Sequence, residues 1–353
     1  MSISELEFQA KTVEDAGAGP AIEGRSQWQL TWRRLSHDKM AVLSMVVIAI
    51  IMLVAIFAPA IAALVGHSPY AVYPNSGLAA NGSPLPPGTH GFLFGTDELG
   101  RDLFVRVVYG ARISLFVGLV TTAIGTLLGV TVGMVSGYFG GTVDAFLARV
   151  IDIVLAFPFI VLALALAARF GPSLLIVCVV ISFFSWAGIS RIVRGQALSL
   201  KEKEYIEAAR SLGAGPWRIM FIDILPNLMA PVLVLATLSI PAAITVEATL
   251  SYLGLGVQPP EASWGNILAG AQSYYSVAWW YLVFPALALI ITTVAFNLLG
   301  DGVRDAMDPR TERIFAAGRG RRGRRRTAAV AAAAHAPTAE LPDPPRQAQP
   351  PGI

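Results

Sequence analysis

From residue 40 to residue 65 the chain carries no Asp, Glu, Lys or Arg. That exceeds the roughly 20 residues an α-helix needs to cross a bilayer. Five further apolar runs follow, at 113–136, 153–168, 173–189, 228–250 and 277–299. The third is short, and Asp152 and Arg169 at its edges can snorkel to the interface. Trp279, Trp280 and Tyr281 open the sixth and read as an interfacial aromatic belt. Only 14% of the residues are charged, against about 25% in a soluble domain. The expected fold is an all-α integral membrane protein with six transmembrane helices.

Arg and Lys in the connections set the orientation. The N-terminal segment holds Lys11, Arg25, Arg33, Arg34 and Lys39. The loop after the fourth span holds Arg191, Arg194, Lys201, Lys203, Arg210 and Arg218, and the C-terminal segment holds Arg304, Arg310 and Arg313. The loop at 251–276 has none. An even span count puts these three basic segments on one side, the cytoplasmic side, with both termini. Arg101, Arg106 and Arg112 in the first outer loop are the exception.

One polar stretch between apolar spans, SLKEKEYIEAARSLGAGPWRIMFIDILPN at 199–227, stands out. Ser199 and Glu202 have capping-box spacing, which predicts a helix starting at Leu200. Tyr205, Ala208, Ala209 and Leu212 share one small, mostly apolar face, with Lys203, Glu207 and Arg210 away from it. Gly213 suits the left-handed C′ position. Gly215 and Pro216 open a second short helix with Pro216 at N1.

The rest of the chain divides around the spans. Residues 1–25 are polar and expected to be disordered. Residues 26–66 hold a short amphipathic segment suited to a membrane surface (WQLTWRRLSHDK) and the first span. Residues 67–112 form a long outer loop leading into a helix, which Thr96 or Asp97 can cap. Residues 113–310 hold five spans. Residues 311–353 read as a basic, disordered tail whose GRGRRGRRR run can bind anionic membrane lipid or simply enforce topology.

The chemistry excludes several function classes. None of the four lysines, Lys11, Lys39, Lys201 and Lys203, follows a glycine, so a P-loop of the Gly-Lys-[Ser/Thr] type is absent. No nucleophile elbow, metal-ligand spacing or acid–base constellation is visible, so no catalytic or metal residues are assigned and no cofactor or nucleic-acid partner is expected. Cys178 reads as a small buried hydrophobe. Glu247, near the outer end of the fifth span, is the ionisable group best placed to matter inside a span. It lines a pore or outer gate, or pairs with Arg101, Arg106 or Arg112. Gly125, Gly129, Gly133 and Gly137 recur every four residues and make a smooth stripe for close helix packing, against a neighbouring span or a second subunit. An ion-coupled secondary transporter would need more intramembrane carboxylates than Glu247 provides.

Glu207-Ala208-Ala209, Gly213 and Leu225-Pro226 resemble the EAA motif of ATP-binding-cassette importer permeases, with Asp223 where that motif usually has an apolar residue. GTDELGRDLFVRVVYGARISL, LSYLGLGVQPPEASWGNIL and FNLLGDGVRDAMDPR resemble the C-type permease of dipeptide, oligopeptide and nickel importers. The resemblance spans roughly residues 28–310. It implies a type I importer half-pore in the bacterial inner membrane, with a cytoplasmic coupling helix near 199–219. It also implies a homologous B-type permease, two ATPase subunits that bind the ATP, and an extracytoplasmic solute-binding protein as partners. Glu207, Ala208, Ala209, Arg210, Gly213 and Gly215 would then dock the ATPase. The implied solute is a di- or oligopeptide, with nickel or another small solute as the alternative.

Overall fold

The computed structural model describes residues 27–307; the expected disordered ends at 1–25 and 311–353 lie outside them. Helix α1 (Gln27–Leu35) precedes α2 (Lys39–Ile56), whose first turn is capped by the Asp38 carboxylate accepting from the Met40 amide at 2.9 Å. The first apolar run is then interrupted. Helix α2 ends at Phe57, and α3 (Ala58–Val65) restarts with Pro59 in its first turn, where a missing N–H costs nothing.

Helix α4 (Leu103–Phe139) is a continuous rod of 37 residues. Its cap is Asp102, which accepts from the Val105 amide at 3.1 Å, and neither Thr96 nor Asp97 serves. Those two are engaged in the preceding loop. The Thr96 hydroxyl donates to the Gly77 carbonyl at 2.6 Å, and Asp97 accepts from the Arg101 amide at 2.9 Å. The third apolar run is also broken. Helices α5 (Gly141–Ala156) and α6 (Phe159–Phe170) meet at 78°. Pro158 forces Phe157 into extended backbone and ends α5 there.

Helix α7 (Leu174–Leu200) runs past its apolar span. Leu200 is its last residue rather than the first of a new helix, because Val193 and Ala197 keep packing against α4 beyond the apolar run. The Ser199–Glu202 capping box therefore does not form, and the next helix, α8 (Glu204–Ser211), starts four residues later. Then come α9 (Pro216–Arg218), a π-helical segment Ile219–Ile224, and α10 (Leu225–Tyr252). Helix α11 (Trp264–Ala271) has a capping box between Ser263 and Asn266, and α12 (Trp279–Met307) closes the described chain. Among the described residues five helical stretches are long and apolar enough to cross a membrane, or six if the bent α5–α6 pair is one span.

The centre of the fold is the α4–α7 pair. All four glycines of the stripe face α7 within the chain, which decides between a neighbouring span and a second subunit. A Cβ on Gly129 would lie 2.7 Å from Ile189 Cβ, one on Gly133 2.9 Å from Val193 Cβ, and one on Gly137 2.7 Å from Ala197 Cβ; Gly125 meets Ser185. The partners 185, 189, 193 and 197 repeat every four residues too, so two matching ridges meet. Helix α10 crosses α4 where Gly118 admits Ile244, and α12 lies on α10 and on α2, where Gly302 admits Ala41. Trp280 and Tyr281 belong to this core with Trp264 and Phe296; of the expected aromatic belt only Trp279 is exposed.

Candidate functional site

The residues singled out in the sequence fall at opposite ends of the bundle. At one end α8 is held by a single deep anchor. Ile206 is fully buried against Ile219, Met220 and Ile224. Ala209 and Ala214 pack beside it. Lys203 caps the helix in extended conformation with no side-chain bond, and Glu204 and Glu207 in the first turn suit the positive helix end. The helix closes with a Schellman motif. Gly213, at φ +81°, donates to the Arg210 carbonyl at 2.9 Å, and Ala214 donates to the Ala209 carbonyl at 3.0 Å. Gly213 is needed for its backbone angle, since no atom lies within 4 Å of where its Cβ would stand.

This anchoring leaves most of the predicted apolar face outward. Tyr205, Ala208 and Leu212 point outward, and Leu212 is 89% exposed. Trp217, Phe221 and Ile222 of the following segment extend the exposed apolar surface, and Trp217 stacks on Phe221 with ring centroids 6.1 Å apart. Glu207, Gly213 and Gly215 are exposed beside it. Arg210 is exposed as well, with its guanidinium 5.5 Å above the Tyr138 ring at the end of α4. Ala209, grouped with the outward face in the sequence, is half-buried and faces in. Ile206 is the residue the sequence reading missed. The pair Ile206 and Ile219–Met220, flanking the glycines, was the available signal.

The helix ends around α8 are knit by charge. Arg194 of α7 grips Asp144 of α5 in bidentate fashion, Nη2 to Oδ2 at 2.7 Å, and the Ser136 hydroxyl of α4 donates to the same carboxylate at 2.6 Å. Asn227 at the start of α10 donates to the Asp223 carbonyl at 2.7 Å. Asp223 thus sits half-buried on the π segment, where its backbone ties into α10.

At the opposite end Glu247 is fully buried. It accepts from the Ser114 hydroxyl of α4 at 2.9 Å and from the Ser251 hydroxyl at 2.8 Å. It does not pair with an arginine. Arg101 and Arg106 are committed elsewhere. Arg101 Nε lies 2.6 Å and Arg106 Nε 3.2 Å from Asp97 Oδ2, with all three residues buried. Arg106 also donates from Nη1 to the Pro69 carbonyl at 3.2 Å and the Pro260 carbonyl at 3.4 Å. Arg112 stacks on Tyr109. Glu98 beside this cluster accepts from the Tyr281 hydroxyl. Burial, and then the neighbouring Asp97 charge, raise its carboxyl above the ordinary value. Trp264 locks α11 to α4 by donating from Nε1 to the Val107 carbonyl at 3.0 Å.

The arrangement pairs an exposed apolar surface at one end with a charge-stapled cap at the other, and comparison with known proteins identifies such a chain. Residues 129–313 match the family described as binding-protein-dependent transport system inner membrane component. The chain belongs to that family. Its residues 26–87 also match the N-terminal TM domain of oligopeptide transport permease C. The dipeptide transport system permease protein DppC of Bacillus subtilis is 42% identical over 289 residues, 82% of this permease and 87% of that protein. The oligopeptide transport system permease protein OppC of Haemophilus influenzae is 39% identical over 289 residues, 82% and 90% of the two chains. A structure titled as an inward-facing conformation of the MetNI methionine ABC transporter shares the fold, with TM-score 0.50 and 19% identity over 58% of this permease and 98% of that chain.

Proposed function

We propose that this permease is one half of the pore of an ATP-driven peptide importer and that α8 with the following π segment is its coupling element. The carrying observation is the apolar surface around Leu212, Trp217, Phe221 and Ile222. Leu212 stands on a polar segment outside the candidate spans, Trp217, Phe221 and Ile222 stand on the leading turns of the next one, and Ile206 anchors the surface from beneath; an exposed apolar patch of this kind bordered by Glu207 and Arg210 supports a protein contact. Partner ATPase subunits bind the ATP and close over α8, and the permease itself catalyses nothing. Glu207, Ala208 and Arg210 border that contact, and Gly213 and Gly215 set its turn. A homologous B-type permease completes the pore, and a solute-binding protein delivers the solute from outside.

The orientation reading rests on charge. Arg191, Arg194, Lys201, Lys203, Arg210 and Arg218 cluster at the α8 end, and the opposite loop at 251–276 has no Lys or Arg. Of the three exceptions, Arg101 and Arg106 share the Asp97 carboxylate and Arg101 also meets Glu98, while Arg112 stays an uncompensated positive charge on that side. The α8 end therefore faces the cytoplasm, with both termini. The relatives named above are dipeptide and oligopeptide permeases, which supports peptide as the solute; no observation favours nickel. The test is co-purification of the ATPase and peptide uptake in Leu212→Glu, Glu207→Lys and Gly213→Trp. Each should lose the ATPase and uptake together. Variants that assemble and transport as the parent does would refute the coupling role.

A further inference from the structure

The charge-stapled end contains a cavity of about 340 Å³ lined by Tyr70, Tyr109, Arg112, Phe116, Glu261 and neighbouring apolar residues. Arg112 and Glu261 are both exposed and line this one space, and among the described residues neither the guanidinium nor the carboxylate is joined to another side chain by an ion pair or hydrogen bond. The cavity is a built object. Arg106, buried behind it, bonds the carbonyls of Pro69 and Pro260, the residues just before Tyr70 and Glu261. One guanidinium thereby fixes two rims that are far apart in sequence. Tyr70 meets Tyr109 edge-on at 6.2 Å, and Arg112 lies 5.6 Å over the Tyr109 ring, so the aromatic wall also orients the free cation. Phe116 and Leu174 are shared with a second, nearly wholly apolar groove of about 570 Å³ that runs between α4 and α7 past Ile124, Leu128, Val179 and Trp186. Both volumes fall in the range of about 300–1,000 Å³ typical of small-ligand sites.

We infer that this cavity is a binding site for a short zwitterionic peptide, with Arg112 taking the α-carboxylate and Glu261 the α-ammonium. At neutral pH a peptide's α-carboxyl, near 3.5, is ionised and its α-amino group, near 7.8, is mostly charged. It therefore presents the two charges that the cavity leaves unpaired, and Arg suits a carboxylate by its two parallel donors. The apolar groove beyond accepts side chains without reading them, as a pore serving varied sequences requires. The inference rests on the peptide reading above and names a site for it.

The experiment uses the complete transporter in lipid vesicles and trialanine as the solute. Arg112→Gln and Glu261→Gln should each lower trialanine uptake about three- to fivefold, the loss of one partly exposed charge contact, with subunit content unchanged. In a second arm, Phe116→Cys in a Cys178→Ser background is labelled with a charged thiol reagent. Trialanine should slow that labelling at least threefold, and the protection should vanish when Arg112→Gln or Glu261→Gln is added. Unchanged uptake in both variants together with unprotected labelling overturns the site while leaving the importer reading intact. Labelling that responds to a change of lipid headgroup and not to trialanine assigns the cavity to lipid and overturns it as well. A parent transporter that imports no peptide overturns both readings.

Discussion

The glycine stripe allows a substitution experiment in which identical chemistry gives opposite signs. In Gly129→Ala the new Cβ would stand 2.7 Å from Ile189 Cβ and 2.8 Å from the Trp186 carbonyl oxygen. The second neighbour is backbone and cannot rotate away. Restoring an ordinary contact of about 3.4 Å requires α4 and α7 to part by roughly 0.7 Å, and a gap of that size forfeits a quarter to a half of the dispersion energy of the contacts beside it. Overpacking of this kind costs about 1–3 kcal/mol, offset by a gain of about 1 kcal/mol in helix propensity. A net loss near 2 kcal/mol at the upper end of that range lowers the unfolding midpoint by about 4–8 °C. Gly195 lies on the exposed side of α7 with no atom within 4 Å of its would-be Cβ. Gly195→Ala keeps the propensity gain alone and should hold or raise the midpoint. The assay is thermal loss of monodisperse permease in detergent, both variants side by side. Equal midpoints for the two variants, or a lower one for Gly195→Ala, would refute the account of the α4–α7 contact.

Three further outcomes follow from other sites. Asp97→Asn leaves the buried Arg106 without an ion-pair partner and Arg101 with Glu98 alone, at 3.2 Å, and should cost about 3–5 kcal/mol, read as faster proteolysis of the 67–102 loop. Gly213→Ala, at φ +81°, should destabilise the end of α8 by about 1–2 kcal/mol and weaken ATPase co-purification, with Gly213→Asn milder. Burial, and then the Asp97 charge, hold the folded Glu98 carboxyl above its ordinary value of 4.5. Its proton therefore favours the folded loop, fully so below pH 4.5, and that contribution is lost as pH rises through the folded value. Hydrogen exchange of the 67–102 loop should show protection falling over that window in the parent and not in Glu98→Gln.

The spans, the glycine stripe and the left-handed Gly213 were legible because each depends on local pattern alone. What the sequence could not reveal was set by partners distant in the chain. Ser199 and Glu202 have the spacing of a cap, but Val193 and Ala197 hold α7 helical through that point against α4. Tyr205, Ala208 and Leu212 do share a face, and only the position of Ile219 and Met220 shows that Ile206 is the side that goes in. Thr96 and Asp97 have capping chemistry, yet the folded loop takes their hydrogen bonds and leaves the cap to Asp102. Glu247 was offered three arginines and found two serines, since Asp97 had claimed two of the cations and Tyr109 the third. Competition among several compatible partners is decided by tertiary geometry and leaves no mark on spacing.

Helix α4 passes the Arg112 cavity in its first half and closes at Phe139, next to Tyr138 under Arg210 of α8. Its 37 residues make a rod about 55 Å long, and it contains no proline. Seating the glycines on α7 stiffens the places where such a helix would otherwise flex. A rod of this kind is a lever. A tilt of about 10° around the Tyr138 end carries Arg112, about 39 Å along the rod, roughly 7 Å sideways. Under the coupling proposed above, a small displacement of α8 would be magnified along this rod into a movement of several ångströms at its other end.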